Sequence, residues 1–171
     1  MMDDPEQMKP AEPHAAELIA LIRDPASGAY SRELFAPRLI EETARATREL
    51  SALTLGLLEA SDQGQLSAEQ VRTVLDLLKQ TLRASDVIFR FSDTEFLLML
   101  PATIKLDGEM TCQRLIQTLR QDLPDTIRLN MGLVTYPEDV LQPEMLLEVL
   151  TARKQTALKS GPNTCISDSG F

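Results

Sequence analysis

The order of apolar and polar positions along the chain separates it into alternating helical and extended segments. HAAELIALIR repeats apolar residues at helical intervals and stops at Asp24-Pro25, where proline disfavours continuation, so a short leading helix is predicted over residues 14–23. DPASGAYSRELF supplies a turn around Gly28, with Ser31 placed to cap a second helix that carries Leu34, Phe35, Leu39 and Ile40 on one side and runs to about Leu50. LSALTLGLLEA, residues 50–60, is an almost unbroken apolar run bounded by polar residues, the pattern of a central strand buried on both faces. After the loop SDQGQLS, Ser67 and Gln70 form a capping-box pattern for the helix AEQVRTVLDLLKQTLR.

VIFRFSDTEFLLMLP then reads as strand, tight turn and strand, the two strands joined by Ser92 and Asp93. LDGEMTCQRLIQTLRQDL is amphipathic, with Met110, Leu115, Ile116, Leu119 and Leu123 at helical intervals. IRLNMGLVTYP gives another strand, PEMLLEVLTARKQTALKS a last helix closed by Gly161, and NTCIS a short closing strand. A mostly antiparallel central sheet flanked by helices, an α/β (α+β) fold of ferredoxin-like βαββαβ character, is the simplest arrangement that buries these faces.

Length and composition narrow the picture. The 171 residues suffice for one domain with a real core, here residues 13–171, preceded by an acidic, proline-bearing segment over residues 1–12 that is expected to be a flexible tail. Aromatic residues are only 4% of the chain, so Leu, Ile, Val, Ala and Met must build the core, and Met99, Met110, Met131 and Met145 are expected there. The net charge of −9, with no long Lys/Arg run, argues against nucleic acid. No segment has a signal-peptide pattern or membrane-spanning length, so a cytoplasmic protein is expected, without membrane association. Cys112 and Cys165 fit no metal-ligand spacing and read as small buried hydrophobes in a reducing compartment.

Little in the sequence suggests catalysis. The sole histidine, His14, sits near the start without a plausible partner, so no Ser/His/Asp or Cys/His arrangement can be assembled. Asp93 and Glu95 read as exposed turn acids, and Arg90 as a strand residue paired with a nearby carboxylate.

Four segments, in order, resemble the GGDEF domains, the class that includes bacterial diguanylate cyclases. DPASGAYSRELF resembles the opening D-x-x-T-G-x-x-N-R-x-x-F segment, ASDVIFRFSDTEFLLMLP the strand, signature turn and strand, NMGLVTYPED the S-x-G-x-A-x-Y-P segment, and TALKSGPN the A-K-x-x-G-x-N segment. The resemblance covers residues 24–167 and implies the GGDEF fold.

The same resemblance implies that the catalytic apparatus is lost. The signature Gly-Gly-Asp/Glu-Glu-Phe has become Ser92-Asp93-Thr94-Glu95-Phe96, placing an anion where phosphate would approach and a threonine where a metal ligand is usual. In register with the family, the first strand's metal-bearing aspartates fall on Gly56 and Leu58, which leaves Glu95 as the surviving carboxylate. The guanine-reading segment is shortened to SDQGQLSAEQ, with Ala68 near its aspartate position. The phosphate-binding lysine falls on Leu158, and Pro162 stands where arginine is common. With no metal or cofactor expected, turnover is not expected either.

One family feature is kept. Arg83-Ala84-Ser85-Asp86 lies at the R-x-x-D position before the signature where cyclases bind their product, and Arg114 is the second arginine by position. A guanidinium fork suits a phosphate and a guanine acceptor edge, while a carboxylate accepts from guanine nitrogens. The resemblance thus implies a catalytically inactive receptor for cyclic di-GMP, working with a signalling protein partner. The alternative is a ligand-independent protein-interaction scaffold. The sequence leaves homodimerisation open.

Overall fold

The computed structural model describes residues 21–168, so the predicted tail, His14 and most of the leading helix lie outside the described residues. Within that span the chain builds a six-stranded sheet from β1 (Tyr30–Ser31), β2 (Leu53–Ser61), β3 (Val87–Arg90), β4 (Glu95–Pro101), β5 (Arg128–Tyr136) and β6 (Thr164–Ile166), in the order β1-β3-β4-β2-β5-β6. The helices are α1 (Phe35–Glu49), α2 (Ala68–Thr81), α3 (Lys105–Asp122) and α4 (Leu146–Ser160). The chain from β2 to β5 therefore runs βαββαβ as expected, and its strand pairings are antiparallel. The two edge strands, β1 against β3 and β6 against β5, add parallel pairs and make the sheet mixed.

β2 is central because its side chains are apolar on both sides. Leu58 and Ala60 join a core with α2 and α3, whereas Leu53, Leu55 and Leu57 face Phe35 and Ala46 of α1 and Leu146 and Leu150 of α4. The sheet thus separates two cores, with α2 and α3 over one face and α1 and α4 over the other. Helix α4 lies close on β5, because at Gly132 an added Cβ would stand 2.5 Å from the Lys154 backbone nitrogen and 2.7 Å from the Leu150 carbonyl oxygen.

The capping box at α2 forms in both directions. Gln70 N donates to Ser67 Oγ at 3.1 Å, and Ser67 N donates to Gln70 Oε1 at 2.7 Å. Ser67→Ala is expected to lower stability by about 1 kcal/mol, measured by urea denaturation, because it orphans the Gln70 amide at the helix start.

Several expectations need correction. Ser31 does not cap a helix: its Oγ donates to the Leu21 carbonyl, a single turn of 3-10 helix covers Arg32–Leu34, and α1 begins at Phe35. Its backbone joins β1, a two-residue strand too short to show a periodicity. Ile40 is 70% exposed and Met110 61% exposed, each lying off the buried stripe of its helix, and Met145 is exposed as well. Met99 and Met131 are fully buried, as expected. The hairpin between β3 and β4 is wider than two residues: Arg90 pairs with Phe96, and Phe91–Thr94 form the connection.

The cysteines are not independent. Cys112 of α3 and Cys165 of β6 are joined in a disulfide across 53 residues of sequence, because docking of the closing strand beside β5 brings Cys165 against the buried face of α3. Ser167 Oγ donates to Glu109, and Asp168 pairs with Lys105, so the segment after β6 follows α3 along residues 112, 109 and 105.

Candidate functional site

Arg83 and Asp86, from the turn between α2 and β3, and Arg114, from α3, meet at one corner. Helix α2 ends at Thr81, and the turn after it is closed by Asp86 N donating to the Arg83 carbonyl at 3.0 Å. The Asp86 side chain turns back so that Oδ2 accepts from Arg83 N at 2.8 Å. Arg114, exposed on α3, reaches the Thr81 carbonyl at 3.5 Å, the outer limit of a hydrogen bond. Arg83 is exposed too, and among the described residues neither arginine lies within ion-pair distance of a carboxylate.

The other Asp86 oxygen decides what this corner can do. Oδ1 is buried and accepts no hydrogen bond. Burial raises the Asp86 carboxyl above its ordinary pKa, and the Arg83 N–H and the charges of Arg83 and Arg114 offset this only in part. A buried carboxylate oxygen without a donor is costly, and a ligand N–H placed there would relieve that cost. Two exposed guanidinium groups beside it can hold an anion at the same time.

The signature segment folds differently from its sequence expectation. Ser92, Asp93 and Thr94 lie within the Phe91–Thr94 connection, and none of them has a positive φ, so the turn does not require glycine. Arg90 stacks over the Phe96 ring at 4.7 Å and donates to the Asp93 carbonyl, instead of pairing with a carboxylate. Phe96 is fully buried in the α2/α3 core, while Ser92 and Asp93 are exposed. Thr94 accepts from Ala60 N at 2.9 Å, tying the turn to the end of β2.

Glu95 is not a free turn acid, and it is not alone. Glu59 lies directly across the ladder from it, and Lys154 of α4 donates to both, at 2.7 Å to Glu95 Oε1 and 2.9 Å to Glu59 Oε2. Lys154 is only 5% exposed. Burial raises the Glu95 carboxyl, but hydrogen bonds from Lys154 and Ser92 and the charges of Lys154 and Arg32 outweigh it, holding the group below the usual carboxylate range. Burial likewise lowers the Lys154 ammonium, and bonds to Glu59 and Glu95 carry it above its ordinary value. The reading that placed the first strand's carboxylate positions at Gly56 and Leu58 missed Glu59, which stands at the signature end of β2, whereas Gly56 packs among Leu133, Met131 and Leu98 in mid-sheet.

A divalent cation for phosphoryl transfer does not fit this pair. Such ions take several oxygen ligands, yet among the described residues no three His, Cys, Asp or Glu side chains gather into a metal-binding group. The space between the two carboxylates is held by an ammonium instead. The sequence did carry a signal for it: Glu59 is the only charge in an apolar strand, and Arg153 and Lys154 sit on the α4 face that also buries Leu146, Leu150 and Ala157.

Comparisons with known proteins agree with this architecture. The family model described as "Diguanylate cyclase, GGDEF domain" matches residues 21–164. Diguanylate cyclase DgcP of Pseudomonas aeruginosa is 32% identical over 102 residues, which cover 55% of this chain and 15% of that protein, so the chain spans a small part of that relative's length. The GGDEF domain of TpbB (YfiN) from Pseudomonas aeruginosa superposes with a TM-score of 0.75 at 18% identity, covering 84% of this chain and 92% of that one. The GGDEF domain of DgcB from Caulobacter crescentus, solved in complex with c-di-GMP, gives a TM-score of 0.75 at 16% identity, over 87% of this chain and 94% of that one. Diguanylate cyclase SiaD of Pseudomonas aeruginosa, solved with its activator SiaC, matches with a TM-score of 0.75 at 24% identity, over 88% of this chain and 63% of that one. At these identities the structural matches establish the fold. Among the described residues no helix is long and apolar enough to cross a membrane.

Proposed function

The chain belongs to the GGDEF family, and we propose that it is a member without diguanylate cyclase activity that acts as a receptor for cyclic di-GMP through Arg83, Asp86 and Arg114. One observation carries the ligand half of this reading: Asp86 Oδ1 is buried, accepts nothing, and stands between two arginines that are free of carboxylate partners among the described residues. A guanine edge offers the N–H donors that this oxygen lacks, and a phosphodiester offers oxygens to the guanidinium groups.

The inactive half is supported by the exposed Asp93 at the turn and by Lys154 between Glu59 and Glu95, since phosphoryl transfer depends on metal ions and positioned phosphates together. Ligand binding would bias docking to a signalling partner to the extent that the ligand prefers one of two states of the domain. No bound cofactor enters this reading.

Calorimetry tests the receptor. Cyclic di-GMP is expected to bind at roughly micromolar affinity or tighter, corresponding to about 8 kcal/mol. Arg83→Ala, which alters an exposed side chain, is expected to abolish the heat while leaving the melting temperature within a degree or two, since exposed substitutions cost about 0.5 kcal/mol or less. An unchanged isotherm in Arg83→Ala would remove the site. Incubation with GTP and magnesium is expected to give no cyclic product.

A second reading, a ligand-independent protein-interaction scaffold, is favoured by the end of the sheet away from the signature turn. There an open cleft of about 570 Å³ is lined by Leu50, Ile104, Tyr136 and Pro137, with Leu50 95% exposed. Absence of any heat with cyclic di-GMP would favour this reading.

A further inference from the structure

We propose that Lys154 is a built-in cation that takes the place of a divalent ion between Glu59 and Glu95, so that the signature end of the sheet is closed to metal by an intramolecular ion pair. This rests on the reading of the domain as inactive and gives it a physical cause: the carboxylate pair is retained and occupied from within.

The geometry leaves the lysine little alternative. Its backbone nitrogen lies where a Cβ on Gly132 would clash at 2.5 Å, so the root of the side chain is fixed by the contact of α4 with β5. Its ammonium is buried, and withdrawing it from Glu59 and Glu95 would leave three charged groups unpaired beside the core, an arrangement that proteins avoid. The carboxylates are fixed as well, because Glu59 and Glu95 are ladder partners on β2 and β4, next to the Ala60–Thr94 hydrogen bond. A divalent ion would have to approach a resident positive charge already within 3 Å of both carboxylates. It would also find no third side-chain ligand among the described residues.

Removing the charge should therefore create what the native chain lacks. Lys154→Met keeps the length and apolar bulk of the side chain while leaving the two carboxylates uncompensated. Binding of Mn2+ is read by the loss of the free-ion electron paramagnetic resonance signal in the native chain, in Lys154→Met and in the double variant Lys154→Met with Glu59→Gln. The native chain is expected to bind no Mn2+ at this place, Lys154→Met to bind it at least about tenfold more tightly, and the double variant to lose that gain. A folded Lys154→Met that gains no Mn2+ binding would overturn the proposal. If Lys154→Met does not fold, the native chain decides. Mn2+ is expected to leave the amide resonances of Glu59 and Glu95 unbroadened, and their selective paramagnetic broadening would overturn the proposal. Cyclic di-GMP titration of the native protein reads the corner at Arg83 and Asp86 separately, so failure of the receptor reading and failure of this one give different results.

Discussion

Gly132→Ala is expected to destabilise the domain by about 3 kcal/mol, at the upper end of the range for inserting atoms into a packed core. The new Cβ would meet not a yielding side-chain tip but the backbone of α4, at 2.5 Å from Lys154 N, 2.7 Å from Leu150 O and 3.0 Å from the Arg153 carbonyl carbon. The helix would have to lift from β5, drawing Leu146 and Leu150 out of the core and Lys154 away from Glu59 and Glu95. For a domain of this size, such a loss corresponds to a fall in melting temperature of roughly 6–12 °C. Gly56→Ala is the matched control. Its Cβ would meet only the side-chain atoms Leu133 Cδ2 at 3.3 Å, Met131 Sδ at 3.5 Å and Leu98 Cβ at 3.7 Å, so a much smaller change is expected. Equal melting temperatures for native and Gly132→Ala proteins would show that α4 does not depend on this approach.

Asp139→Asn is expected to cost about 3 kcal/mol at neutral pH, measured by urea denaturation, because breaking a buried ion pair strands its partners. Asp139 sits just past the end of β5 and accepts from Arg153 Nη1 and Lys105 Nζ at 2.8 Å each and from Thr135 N at 2.9 Å. Its side chain and that of Arg153 are 6% and 8% exposed. Burial alone would raise the Asp139 carboxyl, but the hydrogen bonds from Arg153, Lys105 and Thr135 and the Arg153 charge hold it below its ordinary value. A depressed folded-state pKa contributes stability that is present above the unfolded value, about 3.9 for aspartate, and is lost as pH falls through the folded value. The difference between native and Asp139→Asn proteins should therefore be full at pH 7 and narrow progressively below about pH 4. A constant difference down to pH 2 would assign the contribution to something other than the carboxylate charge.

The βαββαβ order was legible because its elements carry strong local patterns: the apolar run of β2, buried nearly throughout, and the reciprocal cap at Ser67 and Gln70. β1 was not legible, since two residues show no period, and its strand character depends on its neighbour β3. The corner of Arg83, Asp86 and Arg114 was found from spacing and position along the chain, and the structure brings all three together. Its unpartnered Oδ1 was not foreseeable, because which carboxylate oxygen is left over depends on how the turn closes. The Glu59–Lys154–Glu95 cluster was missed for a related reason. A motif register compares residue types along one line, whereas this cluster is assembled from two strands and a helix, with Lys154 lying 95 and 59 residues from its partners. Charges at core-facing positions of α4 and β2 were the available clue, since each requires an opposite charge from elsewhere in the fold.

The bond between Cys112 and Cys165 makes the domain sensitive to its thiol environment. Closing 53 residues into a covalent loop contributes about 4 kcal/mol on the chain-entropy view, a large share of a domain's ordinary 5–15 kcal/mol. In a glutathione-buffered interior that contribution would fade, leaving the packing of Cys165 on the core and the polar contacts Glu109–Ser167 and Lys105–Asp168 to hold the closing segment to α3. Because Cys112 lies two residues before Arg114 on the same helix, the cross-link ties the stretch of α3 that carries Arg114 to the closing strand.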